Sequence, residues 1–520
     1  MKKIFVSIFI LLVAIVTMAY LYFSKLNSDH AQTDLSLYAA TGSSGFIFSF
    51  ENDKSILGIL KEQDIFEEAI GNENFKALHS LENNLLALPT INQLIEKQTI
   101  YLNFIPGKKQ HTDYLFSTQT GGNASQQQLY QTLKANVISL DTTANLAKIT
   151  LKDSTVFYLG IKAQLILLSN APDPVIKALG SNSEKADHKF IEYIKSNNRQ
   201  TRNTLAQLYI NFNKLPELLK NIIPGKLNGE LAILDKQDSY AVLTYSFSNE
   251  RVLFAGSTMT NDPNSYYHLF TEIPAQKITI DNILPESTAT YSIYAIDNYA
   301  SWRKGLKTWF INRKEDKKIT KIQEEISTKY HLNPEELFPK YFSNQFVSAQ
   351  LSTGEKLGAI NLSNGDKLNQ LLIDLSDPYD EDIKLFKEPD LLYAYFGTPL
   401  QSFKRPYYTI IDNYLVFANN ASTLQSFLSN YKNNKLLINS IRYTNTSNQL
   451  PNTSNISFYI DLHNSSNLLR KNMATPYYRQ LTAKDGLKEY ETFVYQLSGD
   501  YGKFQTNILL NKTNNTLEDK

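Results

Sequence analysis

The chain has 520 residues, 42% of them hydrophobic and 20% charged, the balance of a folded protein large enough for more than one full core. Lys and Arg (52) almost cancel Asp and Glu (51), so no net field draws it to nucleic acid or to an anionic surface. There is no cysteine, which excludes disulfides, thiolate nucleophiles and Cys-ligated zinc and fits an exported protein.

In chain order, Ile4 to Phe23 is free of charge and is flanked by Lys2 and Lys3, with Tyr20, Tyr22 and Phe23 at its far end. About 20 apolar residues suffice for one helical crossing. The expectation is a signal anchor over residues 1–23, with the N-terminus cytoplasmic and the bulk exported to the periplasm of a bacterial inner membrane. A polar stalk follows at 24–38. Beyond it the chain repeats itself. "LYINFNKLPELLKN" (Leu208 to Asn221) aligns with "FYIDLHNSSNLLRK" (Phe458 to Lys471), matching Tyr209 to Tyr459 and Leu218 to Leu468, 250 positions apart (459 − 209).

Other elements recur in order. "GFIFSFEND" (Gly45 to Asp53) and "TYSIYAIDN" (Thr290 to Asn298) alternate with period two and predict half-buried strands. Helical stripes follow each: Phe75, Leu78, Leu81, Leu85 and Leu88 in the first copy, and Ile319, Ile322, Ile326 and Tyr330 in the second. Asn333, Pro334, Glu335 and Glu336 form a helix start. Strands are expected at Thr99 to Ile105 and Phe346 to Ser352. A hairpin, Phe157 to Ala171, aligns without a gap at the same offset with Tyr407 to Ala421, turning at Asp412-Asn413. Asp173-Pro174 caps the helix after the first hairpin, and Ser422 or Thr423 the helix after the second. Val242 to Gly256 and Thr492 to Thr506 complete each copy. The expected fold is α+β: an N-terminal transmembrane helix, then two tandem copies of a mainly antiparallel sheet with helices on one face. The copies span 39–256 and 284–510, joined by a connector at 257–283 and ending in a disordered tail at 511–520.

Chemistry is sparse. The histidines (His30, His79, His111, His188, His268, His331, His463) stand singly, with no HExxH and no i, i+4 pair. The densest acidic stretch, Asp374, Asp377, Asp380, Glu381 and Asp382, is a weak candidate for Ca²⁺ but lacks EF-hand spacing. "TGSSGF" (Thr41 to Phe46) is not a nucleophile elbow, "SNYK" (Ser429 to Lys432) lacks the companions of an S-x-x-K enzyme, and "SGDYGKF" (Ser498 to Phe504) reads as a hairpin turn. Tyrosines in "NSYYHLF" (Asn264 to Phe270) and "ATPYYRQ" (Ala474 to Gln480) suit either a glycan or protein surface or packing onto the core. No catalytic residue and no cofactor is assigned.

The anchor, followed by "IIDNYLVFANNASTLQSFLSNY" (Ile410 to Tyr431) and "ISFYIDLHN" (Ile456 to Asn464), resembles a family of single-span bacterial envelope proteins known only as a domain of unknown function, the 3352 type. The resemblance implies an exported, membrane-tethered location and no catalytic residues. The expected function is binding or scaffolding of another envelope component. Two alternatives stand beside it: a groove for lipid or glycan, and an envelope hydrolase with a dispersed active site. The expected partners are the membrane through residues 4–23 and an envelope protein, lipid or glycan, with no nucleic acid.

Overall fold

The computed structural model describes residues 34–512 other than 62–71, 87, 109–110, 122–125, 137–138, 144–145, 181–186, 199–203, 226–228, 236, 249 and 484–485. In the first half the strands are β1 (Phe46–Glu51), β2 (Thr99–Pro106), β3 (Thr112–Gln119), β4 (Ser139–Thr143) and β5 (Leu146–Thr150). They continue with β6 (Val156–Lys162), β7 (Leu165–Ser169), β8 (Gln207–Asn211), β9 (Ser239–Ser248) and β10 (Arg251–Thr260). A short β11 (Gln276–Lys277) pairs only with β19 (Thr453–Ser454). The second half supplies β12 (Thr288–Ala295), β13 (Phe342–Leu351), β14 (Lys356–Leu362), β15 (Ser376–Pro378) and β16 (Lys384–Phe386). It ends with β17 (Tyr407–Ile411), β18 (Tyr414–Ala418), β20 (Ile456–Asp461), β21 (Tyr490–Asp500) and β22 (Lys503–Lys512).

Pairing within the first half runs β4-β5-β6-β7-β3-β2-β1-β8-β9-β10, all antiparallel. The second half runs β15-β16-β17-β18-β14-β13-β12-β20-β21-β22, the same order strand for strand. Strands β10 and β22 then pair antiparallel and join the halves into one 20-stranded sheet. The closing hairpins turn at equivalent positions, Ser248–Arg251 and Asp500–Lys503, an offset of 252 (500 − 248). At that offset Ala255 corresponds to Asn507, and these two residues face each other across the joint. A residue opposite its own counterpart marks a local two-fold axis. Next to the joint, Gly256 lets β10 lie close against β9 on its other side, because a Cβ on it would run into the Val242 carbonyl oxygen.

The described residues correct the expected architecture in three respects. No helix among them is long and apolar enough to cross a membrane, and the expected span Ile4–Phe23 lies outside them. The tandem copies are not separate sheets, because β10 and β22 fuse them. Helices cover both faces of the sheet, not one. The back face buries Ile47, Tyr101 and Tyr209 under helices Leu35–Ser43 and His188–Asn197, and Leu115 and Leu167 under helix Pro172–Gly180. In the second half its cover includes helix Ala421–Lys432. Helices lie on the front face of both halves as well.

The repeat offset also changes along the chain. The β6–β7 turn, Ala163-Gln164, corresponds to Asp412-Asn413, with φ of 54° at Ala163 and 49° at Asp412. That offset is 249 (412 − 163), not the gapless 250 expected for this hairpin. A one-residue slip turns every side chain of a strand to the opposite face, so the correction decides which residues are compared. The final hairpin likewise sits at 252. Two helix starts also shift: the first-copy helix begins at Pro172, placing Asp173 in its first turn, and the second at Ala421 after Asn420. Asn333 does cap its helix, accepting from the Glu335 amide at 3.2 Å.

Candidate functional site

Strands β1, β2, β3, β5, β6 and β7 present Phe48, Phe50, Ile100, Leu102, Phe116, Ile149, Leu159, Ile166 and Leu168 on the front face of the first half, following the period-two alternation. Over them lie helices Lys54–Lys61, Asn72–Leu81, Pro89–Ile95 and Gln126–Asn136. These contribute Leu57, Leu60, Leu78, Leu81, Ile91, Ile95, Leu129 and Leu133. Roof and floor pack into one core but leave a space between them. They enclose a cavity of about 240 Å³ whose wall is almost wholly hydrocarbon.

Among the described residues three polar side chains touch this space: Thr118, His79 and Glu82. Thr118 is buried and its hydroxyl donates to the Thr99 carbonyl at 2.9 Å, so it is satisfied within the sheet. His79 and Glu82 stand together at the mouth, Nδ1 to Oε2 3.8 Å, with 45% and 23% of their side chains exposed. Glu82 opens a π-helical turn, Glu82–Leu86, that interrupts the roof directly after helix Asn72–Leu81. Asn84 pins this turn by donating to the Ser80 carbonyl at 2.8 Å. The Ser80 hydroxyl in turn bonds Asp153 in the β5–β6 connection, and with the Thr155 amide it holds the Asp153 carboxyl below its usual range. Inboard, Asn52 donates to the Ile95 carbonyl at 3.0 Å and fixes helix Pro89–Ile95 to the end of β1.

At the corresponding place in the second half the space is filled. The pairing registers match Ile100 to Phe346, Ile149 to Phe386, Leu159 to Tyr408 and Leu168 to Phe417. All four aromatic rings are buried in one cluster. Phe386 stacks on Tyr408 at 4.4 Å, Phe346 on Tyr294 at 5.0 Å, and Phe403 meets Phe417 at 4.8 Å. Helices Tyr299–Asn312, Pro334–Tyr341 and Leu391–Phe396 close over them with Trp302, Phe338 and Phe396. Burial pushes the Tyr408 phenol up to about 12, against a hydrogen bond with Ser376 that pulls it down.

The residues singled out from sequence do not assemble into a site. Asp377 is paired with Arg405 at 3.4 Å and Lys387 at 3.8 Å, and Asp382 with Lys432 at 3.5 Å. Asp380 accepts from the Ile383 and Asp382 amides and so shapes its own loop. Neither Asp374 nor Glu381 joins them in a cage, and among the described residues no group of three His, Asp or Glu is placed to hold a metal ion. Tyr266 is buried and donates to the Phe396 carbonyl at 2.6 Å, and Tyr477 is half-buried against Thr112, so these tyrosines pack inward. The Asp500–Lys503 segment is a hairpin turn, with Tyr501 and Gly502 at positive φ. The cavity residues are ordinary apolar residues of strands and helices, and Leu78, Leu81 and His79 drew notice only as part of a helical stripe and as a single histidine. Their one signal, four aliphatic side chains where the second half has four aromatic ones, is invisible at an offset of 250. No family model, no curated protein and no solved structure matches the chain.

Proposed function

We propose that this protein binds a hydrophobic molecule in the cavity of its first half. The observation that carries the reading is a space of about 240 Å³, walled by aliphatic and phenylalanine side chains, where the same sheet in the second half is packed with four buried rings. Apolar walls that lack partner atoms on one side forfeit packing energy. An apolar occupant offsets it. A glycan would bring hydroxyls for which this wall has no partners. A hydrolase would need a nucleophile beside a base, and the buried hydroxyl on the wall, Thr118, already donates to a backbone carbonyl. Among the described residues the large exposed apolar side chains (Leu35, Ile59, Ile176, Ile311, Ile373, Tyr379, Ile441, Tyr501) come from separate stretches of sequence, which supports a scaffolding surface less directly than the cavity supports a ligand. The cysteine-free composition supports an exported setting.

The test is a series of straight-chain alcohols titrated against the full chain by displacement of a neutral fluorescent probe. Each buried methylene contributes about 0.8 kcal/mol, so affinity should tighten roughly fourfold per carbon. An engineered cavity of about 150 Å³ holds benzene, so this one should saturate near roughly ten carbons. Absence of displacement at any chain length would sink the proposal.

A further inference from the structure

At one end of the second half's strands, where β12 and β21 begin and β20 ends, lie two open depressions of about 460 and 360 Å³. Arg442 and His463 line both and so join them into one cleft. One side of it is polar, with Ser287, Lys435 and Asn464, and the other is partly apolar, with Leu469, Tyr478 and Leu481. Buried Asp461, the last residue of β20, positions Arg442. It accepts from the Arg442 Nε at 3.2 Å through one carboxylate oxygen and from the Asn464 amide at 2.8 Å through the other. The Asn464 side chain then donates to the Glu286 and Thr288 carbonyls at 2.8 and 2.9 Å, fixing the loop after β20 to the start of β12. Nε is thereby committed, and Nη1 and Nη2 of Arg442 have no hydrogen-bond partner among the described residues. A guanidinium held from behind in this way offers a fixed fork of N–H donors that matches a carboxylate.

The first half shows the same place built without the fork. Asn211 ends β8 as Asp461 ends β20, 250 positions on (461 − 211), and it donates to the Asp187 carboxylate at 2.9 Å. Asp187 caps helix His188–Asn197, whereas Arg442 lies on helix Ile441–Ser447, each the last helix before its strand. The charge that this helix brings to the strand end is therefore reversed between the halves, an acid on an amide in one and a guanidinium on an acid in the other. Lys435 and Lys488 add cations to the wall, and Glu286 and Glu491 add carboxylates, a balance that suits a single negative charge better than a polyanion. We infer that this cleft binds a small organic acid, one carboxylate on a short apolar or aromatic body, with the carboxylate on Arg442 and the body against Leu469, Tyr478 and Leu481. The site is separate from the cavity of the first half and does not depend on it.

Calorimetric titration of the full chain compares phenylacetate with its neutral analogue 2-phenylethanol, with acetate and with phenyl phosphate. Phenylacetate is expected to bind at least about tenfold more tightly than 2-phenylethanol, which lacks the charge that the fork recognises. Acetate, without the ring, should bind at least about tenfold more weakly than phenylacetate. Arg442→Lys keeps a cation beside Asp461 but removes the fork, and should weaken phenylacetate at least about fivefold. Lys435→Ala changes an exposed side chain, so it should leave the unfolding temperature unmoved while weakening phenylacetate by about threefold. Undetectable phenylacetate binding overturns the inference, as does 2-phenylethanol binding equally tightly or a phenylacetate affinity unmoved by both variants. Phenyl phosphate binding more tightly than phenylacetate overturns the assignment of a singly charged carboxylate.

Discussion

The two halves of this molecule share a strand order and a local two-fold axis, yet one is packed and the other hollow. In the second half Phe346, Phe386, Tyr408 and Phe417 meet Trp302 and Phe396 beneath three helices. In the first half Ile100, Ile149, Leu159 and Leu168 stop short of the helices above them. The backbone plan is therefore not what makes the cavity. Side chains are redistributed along it: the second half is bulkier at those four positions, whereas Phe48 and Phe116 of the first half match Ser292 and Gly358, and the same sheet supports both outcomes. The first half leaves space between sheet and helices, and the second half is filled.

The largest expected effect tests whether the second half is the rigid partner. Phe417→Ala should destabilise by about 3–5 kcal/mol, as for a fully buried ring, whereas Leu168→Ala at the matched position should lose only about 2 kcal/mol because it borders space already present. Denaturant unfolding of both variants checks this, and equal losses would break the contrast. Next comes the ion pair that locks the second half's cover. Arg303 is 3% exposed, bonds the Ala394 carbonyl at 2.6 Å and Glu335 at 2.9 Å, and lies over the Tyr395 ring. Glu335→Ala leaves that guanidinium buried without its carboxylate and should lose about 3 kcal/mol. Burial alone would raise the Glu335 carboxyl, but Lys307 and Arg303 overcome it and hold the group below the usual range. Its contribution is thus complete above an ordinary glutamate pKa of about 4.3 and fades as pH falls through the lower folded value. The unaltered protein should lose stability on acidification more steeply than Glu335→Ala, measured by thermal unfolding between about pH 3 and 6.

The smallest change in stability sharpens the comparison most. Ile100→Phe combined with Leu168→Phe imports the second half's rings into the first. Filling the cavity should raise stability by about 0.5–2 kcal/mol per site and abolish displacement of the neutral probe. A stabilised protein that still binds would move the site elsewhere.

How much of this was legible in the sequence follows from what each feature depends on. The duplication, the strands and the Asn333 cap rest on local patterns, and these were readable residue by residue. The Ile319 to Tyr330 stripe was equally plain, and its helix, Asp316–Tyr330, buries Ile319 and Ile326. The fusion of the halves was not, because pairing of β10 with β22 joins Ala255 to Asn507 across nearly half of the chain and leaves no local mark. Helices on both faces were missed for a related reason. Central strands such as β8 (Gln207–Asn211) are buried along their whole length and give no polar side to read. The cavity was the least legible, since a void is a deficit of volume among residues that are each unremarkable, and one residue of misalignment exchanges the two faces.

The joint at Ala255 and Asn507 bears on how such a pair of faces can diverge. Two separate identical chains meeting on a dyad must carry every substitution twice, so a hollow opened on one side opens on the other. Here both sides are written in one chain. A change at Ile100 leaves Phe346 untouched, and the filled half goes on holding the common sheet together while its twin keeps its open space.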